Sequence, residues 1–138
     1  MYNLLSSTRF KVALLACALM TSAVSFVAAN RMWETHTHSG IAQTLTEGDA
    51  SRAPALFRKY GCSGCHNIAG IPGADGQTGS PLSQFSKRIY IAGILENKSE
   101  NLIDWIASPQ SYSPQIAMPN TGITREEAKD VAAYLYSH

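Results

Sequence analysis

Two stretches of this chain are too rich in glycine and proline to be regular structure, and they limit everything else the chain can fold into. Between Asn67 and Ser83 stand Gly70, Pro72, Gly73, Gly76, Gly79 and Pro81, and between Ser108 and Gly122 stand Pro109, Pro114, Pro119 and Gly122. Glycine visits backbone conformations that other residues avoid, and proline fixes its own φ and donates no N–H, so both runs are loops. Loops of this length inside a compact domain usually have a task. The chain has 138 residues, enough for one domain and an extension. A small domain that gives so much of its length to loops has few apolar side chains for a core, and something else must fill its centre.

The stretch Tyr60-Gly-Cys-Ser-Gly-Cys-His-Asn67 supplies a means of holding such a filler, because it places two of the chain's three cysteines three residues apart with His66 directly after the second. A structural zinc site wants four closed ligands and normally a second cysteine pair, which the sequence lacks. A thioredoxin-like redox pair opens a helix after a buried strand, and the surroundings here are helix and loop. A disulfide between Cys62 and Cys65 leaves His66 and the loops unexplained. The remaining reading is covalent haem attachment, in which both thiols add to the porphyrin vinyl groups and His66 is held beneath the iron. A porphyrin is then a core that two long loops can wrap.

Only one methionine stands after His66, namely Met118 in Ile116-Ala-Met-Pro-Asn120, where Pro114 and Pro119 restrict the loop. A thioether ligand from such a loop raises the reduction potential of a haem iron. His36, His38 and His138 are rival ligands, but the first two lie in a polar stretch before the domain and the third is the last residue.

Around the loops the spacing of apolar residues predicts short helices. Ala53, Leu56, Phe57 and Tyr60 share a face after Pro54, so a helix is expected from about Asp49 to Tyr60, ending at Gly61. A modest helical stretch is expected over Leu82 to Ile94, and a short helix over Asn101 to Ala107, stopped by Ser108-Pro109. Thr124-Arg-Glu-Glu127 is a capping box, and Ala128, Val131, Ala132, Leu135 and Tyr136 form one apolar face behind it.

The N-terminus is of another kind. Arg9 and Lys11 precede the uncharged run Val12 to Ala29, which serves equally as a cleaved signal peptide or as a retained membrane anchor. Either way the basic residues favour a cytoplasmic N-terminus and place the residues after Asn30 on the far side, periplasmic or anchored facing the periplasm. Cys17 lies inside the apolar run and is read as a small residue of an apolar helix. Residues 30–47 have little apolar periodicity and are expected to be a flexible tether, which gives three parts: 1–29, 30–47 and 48–138. After Asn30 the formal charge is −1, nine Lys or Arg against ten Asp or Glu, so no broad basic face for nucleic acid exists.

Over about Gly48 to His138 the chain resembles the class I c-type cytochromes. The resemblance is carried by Cys62-Ser-Gly-Cys-His66, Gly79-Ser-Pro-Leu82, Asn101-Leu-Ile-Asp-Trp-Ile-Ala-Ser-Pro109, Tyr112, Pro114, Ala117-Met-Pro119 and Glu126-Glu-Ala-Lys-Asp-Val-Ala-Ala-Tyr-Leu135, in the family's order. It implies an all-α fold around one covalently bound haem c, with the first and last helices crossing so that Ala53 and Phe57 meet Tyr134. It also implies that Trp105 packs on the methionine side of the haem and that Arg88 and Tyr90 reach toward a propionate. The family usually has Gly-Pro where this chain has Gly79-Ser80, so the carbonyl that accepts the His66 ring N–H is expected at Ser80 or Pro81. The lysines that ring the haem edge in mitochondrial-type members are replaced by Gln110, Ser111 and Ala117, which removes strong steering toward an acidic partner.

Glu96 to Trp105 looks most like the cytochrome domain joined to subunit II of caa3-type terminal oxidases, without the copper-binding part of that subunit. The function implied is single-electron transfer by a monohaem carrier that is not itself an enzyme. Its partners would be a terminal oxidase, a bc1-type complex or a dehydrogenase; alternatively the chain is a membrane-anchored haem subunit of such a complex.

Overall fold

The computed structural model describes residues 2–138, with side chains described from Thr8 onward. Met1 of the expected leader or anchor lies outside the described residues. The chain divides into two units, one ending at His36 and one running from Thr37 to His138. The first unit is helix throughout its described length, part of α1 (Tyr2–Thr46). Every side chain from Thr8 to His36 is exposed, and the helix is long and apolar enough to cross a membrane, a property that anchors and signal sequences share.

The stretch 30–46, expected as part of a flexible tether, is helical instead. No proline interrupts it, its one glycine is Gly40, and the Thr46 hydroxyl donates back to the Ala42 carbonyl at 2.8 Å. Its last turns belong to the second unit, where Ala42 and Thr46 are each only 1% exposed. Burial of two small side chains fixes a segment whose composition alone looks solvated.

Asp49 starts the next element. Its carboxylate accepts from the Ser51 N–H at 2.9 Å, closing a 3-10 turn over Ala50–Arg52 that runs into α2 (Ala53–Lys59). Pro54 sits in the first turn of α2, and Gly61, at φ +71°, ends it in the left-handed region where glycine costs least. One further turn, α3 (Cys62–Cys65), comes directly after it.

The expected helix over Leu82 to Ile94 is not formed. Phe85–Lys87 makes a 3-10 turn, and then β1 (Tyr90–Ile91) pairs antiparallel with β2 (Leu95–Glu96), Tyr90 opposite Glu96 and Ile91 opposite Leu95. Ala92 and Gly93 turn the hairpin, both at positive φ, with the Ile94 N–H bonded to the Ile91 carbonyl at 3.0 Å. A tight turn with positive φ at both of its central residues matches the twist of an antiparallel pair, and β-branched Ile89, Ile91 and Ile94 suit extended backbone better than helix.

Helix α4 (Ser99–Ala107) buries Leu102, Ile103, Trp105 and Ile106, and a single turn, α5 (Pro109–Tyr112), interrupts the second long loop. Helix α6 (Arg125–Ser137) is the framework. It carries the capping box, with the Thr124 hydroxyl accepting from the Glu127 N–H while the Glu127 carboxylate accepts from the Thr124 N–H. It packs on α2 and α4 through Ala128, Val131, Ala132 and Leu135, and Tyr134 meets Phe57 edge to face at 5.2 Å. Ala53, Ala128 and Ala132 have no exposed surface, so the backbones pass closely. Gly48 is the tightest point, since a β-carbon there would lie 2.1 Å from the Lys129 carbonyl oxygen.

Glu127 ties this framework together electrostatically. It accepts from Lys59 and from the Tyr60 hydroxyl, each at 2.7 Å. These two bonds, with the weaker contribution of those from Thr124, hold its carboxyl down to about 2. The folded state therefore binds this proton less readily than the unfolded chain, and the resulting stability is present above the ordinary carboxylate value near 4.5 and is lost as pH falls toward 2. Glu127→Gln should lower the melting temperature at neutral pH, and the gap from the parent protein should close between pH 4.5 and 2; a gap independent of pH would show that the charge is not what matters. Thr124→Ala, which removes only the cap, should cost about 1 kcal/mol in a denaturant melt.

Candidate functional site

The single turn of α3 brings Cys62 and Cys65 onto neighbouring positions of one helical face, as residues three apart must be. The His66 N–H closes that turn on the Cys62 carbonyl at 2.9 Å, and His66 itself is extended (φ −111°, ψ 141°), so its ring leaves the helix. Both thiols are free. Cys62 is half-buried against the core, and that burial pushes its thiol up, whereas Cys65 is exposed.

A strap over residues 76–82 lies against this turn. The Gly79 N–H donates to the Cys65 carbonyl and the Leu82 N–H to the Asn67 carbonyl, each at 2.8 Å. The His66 Nδ1 stands 2.8 Å from the Ser80 carbonyl oxygen. A carbonyl can only accept, so Nδ1 carries the proton of this bond and Nε2 is the nitrogen left with a lone pair. Of the two expected carbonyls, Ser80 faces the histidine, while the Pro81 carbonyl accepts from the Arg88 guanidinium, which also lies over the Phe85 ring at 4.7 Å.

Two glycines let the strap approach so closely. A β-carbon at Gly79 would lie 2.3 Å from Cε1 of the His66 ring, and one at Gly76 would lie 2.5 Å from the Cys65 carbonyl carbon. Only the resemblance at Gly79-Ser-Pro-Leu82 sets Gly79 apart from the other glycines of its loop.

The remaining candidates lie elsewhere around the same core. Trp105 is buried on α4, 7% exposed, and Met118 is half-buried against the core cluster. Tyr90, on β1, is 56% exposed. Sequence reasoning missed Asn97, whose side chain donates to the Phe85 and Arg88 carbonyls at 3.0 and 2.9 Å and accepts from the Tyr136 hydroxyl at 2.8 Å. It fixes the segment that carries Arg88, and its only local signal is its place just before a helix.

The arrangement fits a covalently attached haem. It offers two unbridged thiols at adjacent positions, a histidine whose Nδ1 is held by a carbonyl so that Nε2 keeps its lone pair, and a strap whose glycines leave that ring in place. Gly79→Ala should therefore displace the His66 ring and cut the yield of haem-bearing protein several-fold, read from the absorbance of haem against that of protein. A full yield with an unaltered spectrum would show that the strap can move aside.

The sequence model of the family described as "Cytochrome c" matches residues 50–138, which include α3, the strap and the Met118 loop. Among curated proteins, cytochrome c oxidase subunit 2 of Alkalihalophilus pseudofirmus is 37% identical over 100 residues, covering 72% of this chain and 28% of the relative. Cytochrome c oxidase subunit 2 of Bacillus sp. strain PS3 is 32% identical over 109 residues, covering 76% and 30%. The same-named protein of Bacillus subtilis strain 168 is 27% identical over 97 residues, covering 68% and 27%. The chain thus spans less than a third of the length of these relatives. No solved structure matches it. A match over the whole stretch that bears Cys62, Cys65 and His66 makes the chain a member of the cytochrome c family, a haem c domain that carries electrons.

Proposed function

We propose that this chain is a membrane-associated monohaem electron donor with His66 and Met118 as axial ligands, working with a terminal oxidase and not catalysing a reaction by itself. The observation that carries the ligand assignment is the Nδ1 bond from His66 to the Ser80 carbonyl, which leaves Nε2 as the coordinating atom. Met118 is the only methionine after the attachment site and lies half-buried against the core.

Haem supplies the reversible one-electron change between ferric and ferrous iron. The residues supply the rest. Cys62 and Cys65 would hold the group in thioether linkage, and the strap at Ser80 would fix the histidine tautomer. Trp105 and the buried side chains of α4 would exclude water from the methionine side, while Arg88 and Tyr90 would stand toward the propionates. Held by His66 and Met118, the group would exchange electrons without binding substrate.

An oxidase as partner is supported by the names of the relatives, each an oxidase subunit. A bc1-type complex or a dehydrogenase would suit the same chemistry upstream. Attachment through α1, with the domain on the periplasmic face, rests on the apolar run between Val12 and Ala29 and on Arg9 and Lys11 before it. The second reading, a soluble periplasmic shuttle, rests on the small residues Val27 and Ala29, which suit cleavage before Asn30.

Met118→Ala should abolish the far-red iron–sulfur charge-transfer band of the ferric protein and lower its potential by on the order of 0.1–0.3 V, a fraction of the span that axial ligands command. An unchanged spectrum would remove Met118 from the iron. The intact mass of the native protein separates the two settings: the full chain plus one haem means an anchored donor, and the chain from Asn30 plus one haem means a soluble shuttle.

A further inference from the structure

The loops that surround the proposed haem site are almost without charge. From Tyr60 to Ser86 the only charged side chain is Asp75, and from Trp105 to Thr124 there is none. These segments contain the attachment turn, the strap and the whole Met118 loop. Their exposed residues, among them Gly64, Gln77, Thr78, Gln110, Ser111 and Ala117, are small or uncharged. Arg88, bonded to the strap at Pro81, is followed by Ile89 and Tyr90, which are 76% and 56% exposed.

Lys87 and Arg88 border these loops, and many of the other charges answer one another. Lys59 pairs with Glu127, Arg52 with Asp130, Lys129 with Glu47 and Glu126, and Arg125 with Glu100 and Asp104. These groups sit on or beside α1, α2, α4 and α6, the framework of the domain. Charges that are paired in this way present a weak field to their surroundings, and salt screens it further over about 10 Å at 0.1 M.

We infer that these uncharged loops together form one face through which electrons pass and that its partner presents an uncharged, partly apolar protein surface, so that association does not depend on electrostatic steering. The inference rests on the haem reading above and names the chemistry of the docking surface. A partner with an acidic or basic face would find nothing complementary here and would have to desolvate its charges against neutral groups without repayment. Without steering, encounter rates stay near the neutral range of about 10⁵–10⁶ per molar per second, which makes a shared membrane the natural way to raise local concentration.

The test uses the ferrous full-length holoprotein in non-ionic detergent and two one-electron oxidants of opposite charge, hexacyanoferrate(III) and tris(phenanthroline)cobalt(III). In each reaction the haem iron goes from ferrous to ferric and the metal of the oxidant is reduced by one electron. Between about 10 mM and about 500 mM salt, each rate constant should change by less than about threefold, whereas a charged patch would give tenfold or more. Placing charge on the face with Gln77→Lys and Ser111→Lys together should speed hexacyanoferrate about tenfold at low salt and slow the cobalt complex, with both effects vanishing at high salt. Large and opposite salt dependences in the parent protein would overturn the neutral face, and a double variant with both rates unchanged would show that electrons leave elsewhere. Failure of both oxidants to react, or the lack of a haem spectrum, would instead overturn the electron-carrier reading.

Discussion

The close passage of α6 over the residues that open the folded unit is the contact from which the rest hangs. It is possible because Gly48, Ala53, Ala128 and Ala132 present almost nothing between the two backbones. Into the space beside this crossing go Phe57 and Tyr134, the aromatic pair that sets how α2 and α6 meet. Tyr134 does more than pack, for its hydroxyl donates to the Ala69 carbonyl at 2.8 Å and so anchors the loop just after His66 to the helical frame. Gly70 must be glycine there, since it lies at φ +77° and a β-carbon would come within 2.8 Å of that hydroxyl. The frame therefore positions the loop that follows His66.

From the frame outward the site is built largely with main-chain groups. The strap is bonded to the attachment turn by two N–H donors and accepts from the histidine through a carbonyl. Backbone geometry of this kind tolerates changes of side chain, which is why Ser80 can stand where relatives of the wider class carry proline. What it does not tolerate is added bulk at Gly76 or Gly79. The chemistry of the site is thus set by a few side chains, Cys62, Cys65 and His66, and its precision by the absence of others.

Sequence reading recovered those parts whose cause is local. The attachment turn, the capping box at Thr124 and Glu127, the helix that buries Trp105 and the stop at Gly61 are all dictated by neighbours within four residues. It failed where distant contacts decide. Residues 30–46 have a solvated composition, but burial of Ala42 and Thr46 makes their end part of the folded unit. Leu82 to Ile94 has enough apolar residues for a helix, but the Ala92-Gly93 turn and the bonds from Asn97 hold it as a 3-10 turn and hairpin. The closeness of Gly79 to a ring thirteen residues away is not spelled by the composition of the strap, and only the resemblance at Gly79-Ser-Pro-Leu82 points to it.

Asp130 gives the start of the folded unit a meaning that the family boundary lacks. One of its carboxylate oxygens accepts from the Asp49 N–H at 2.7 Å and from the Arg52 guanidinium at 2.9 Å, and the residue is only 4% exposed. A protease acting near residue 50 would strip this buried carboxylate of its main-chain partner and uncover the seats of Ala42, Thr46 and Gly48. A cut before Ala42 would leave all of them intact. The domain can therefore be detached from its apolar helix in working order only from the N-terminal side of Ala42, ahead of residue 50, where the match to the family model begins.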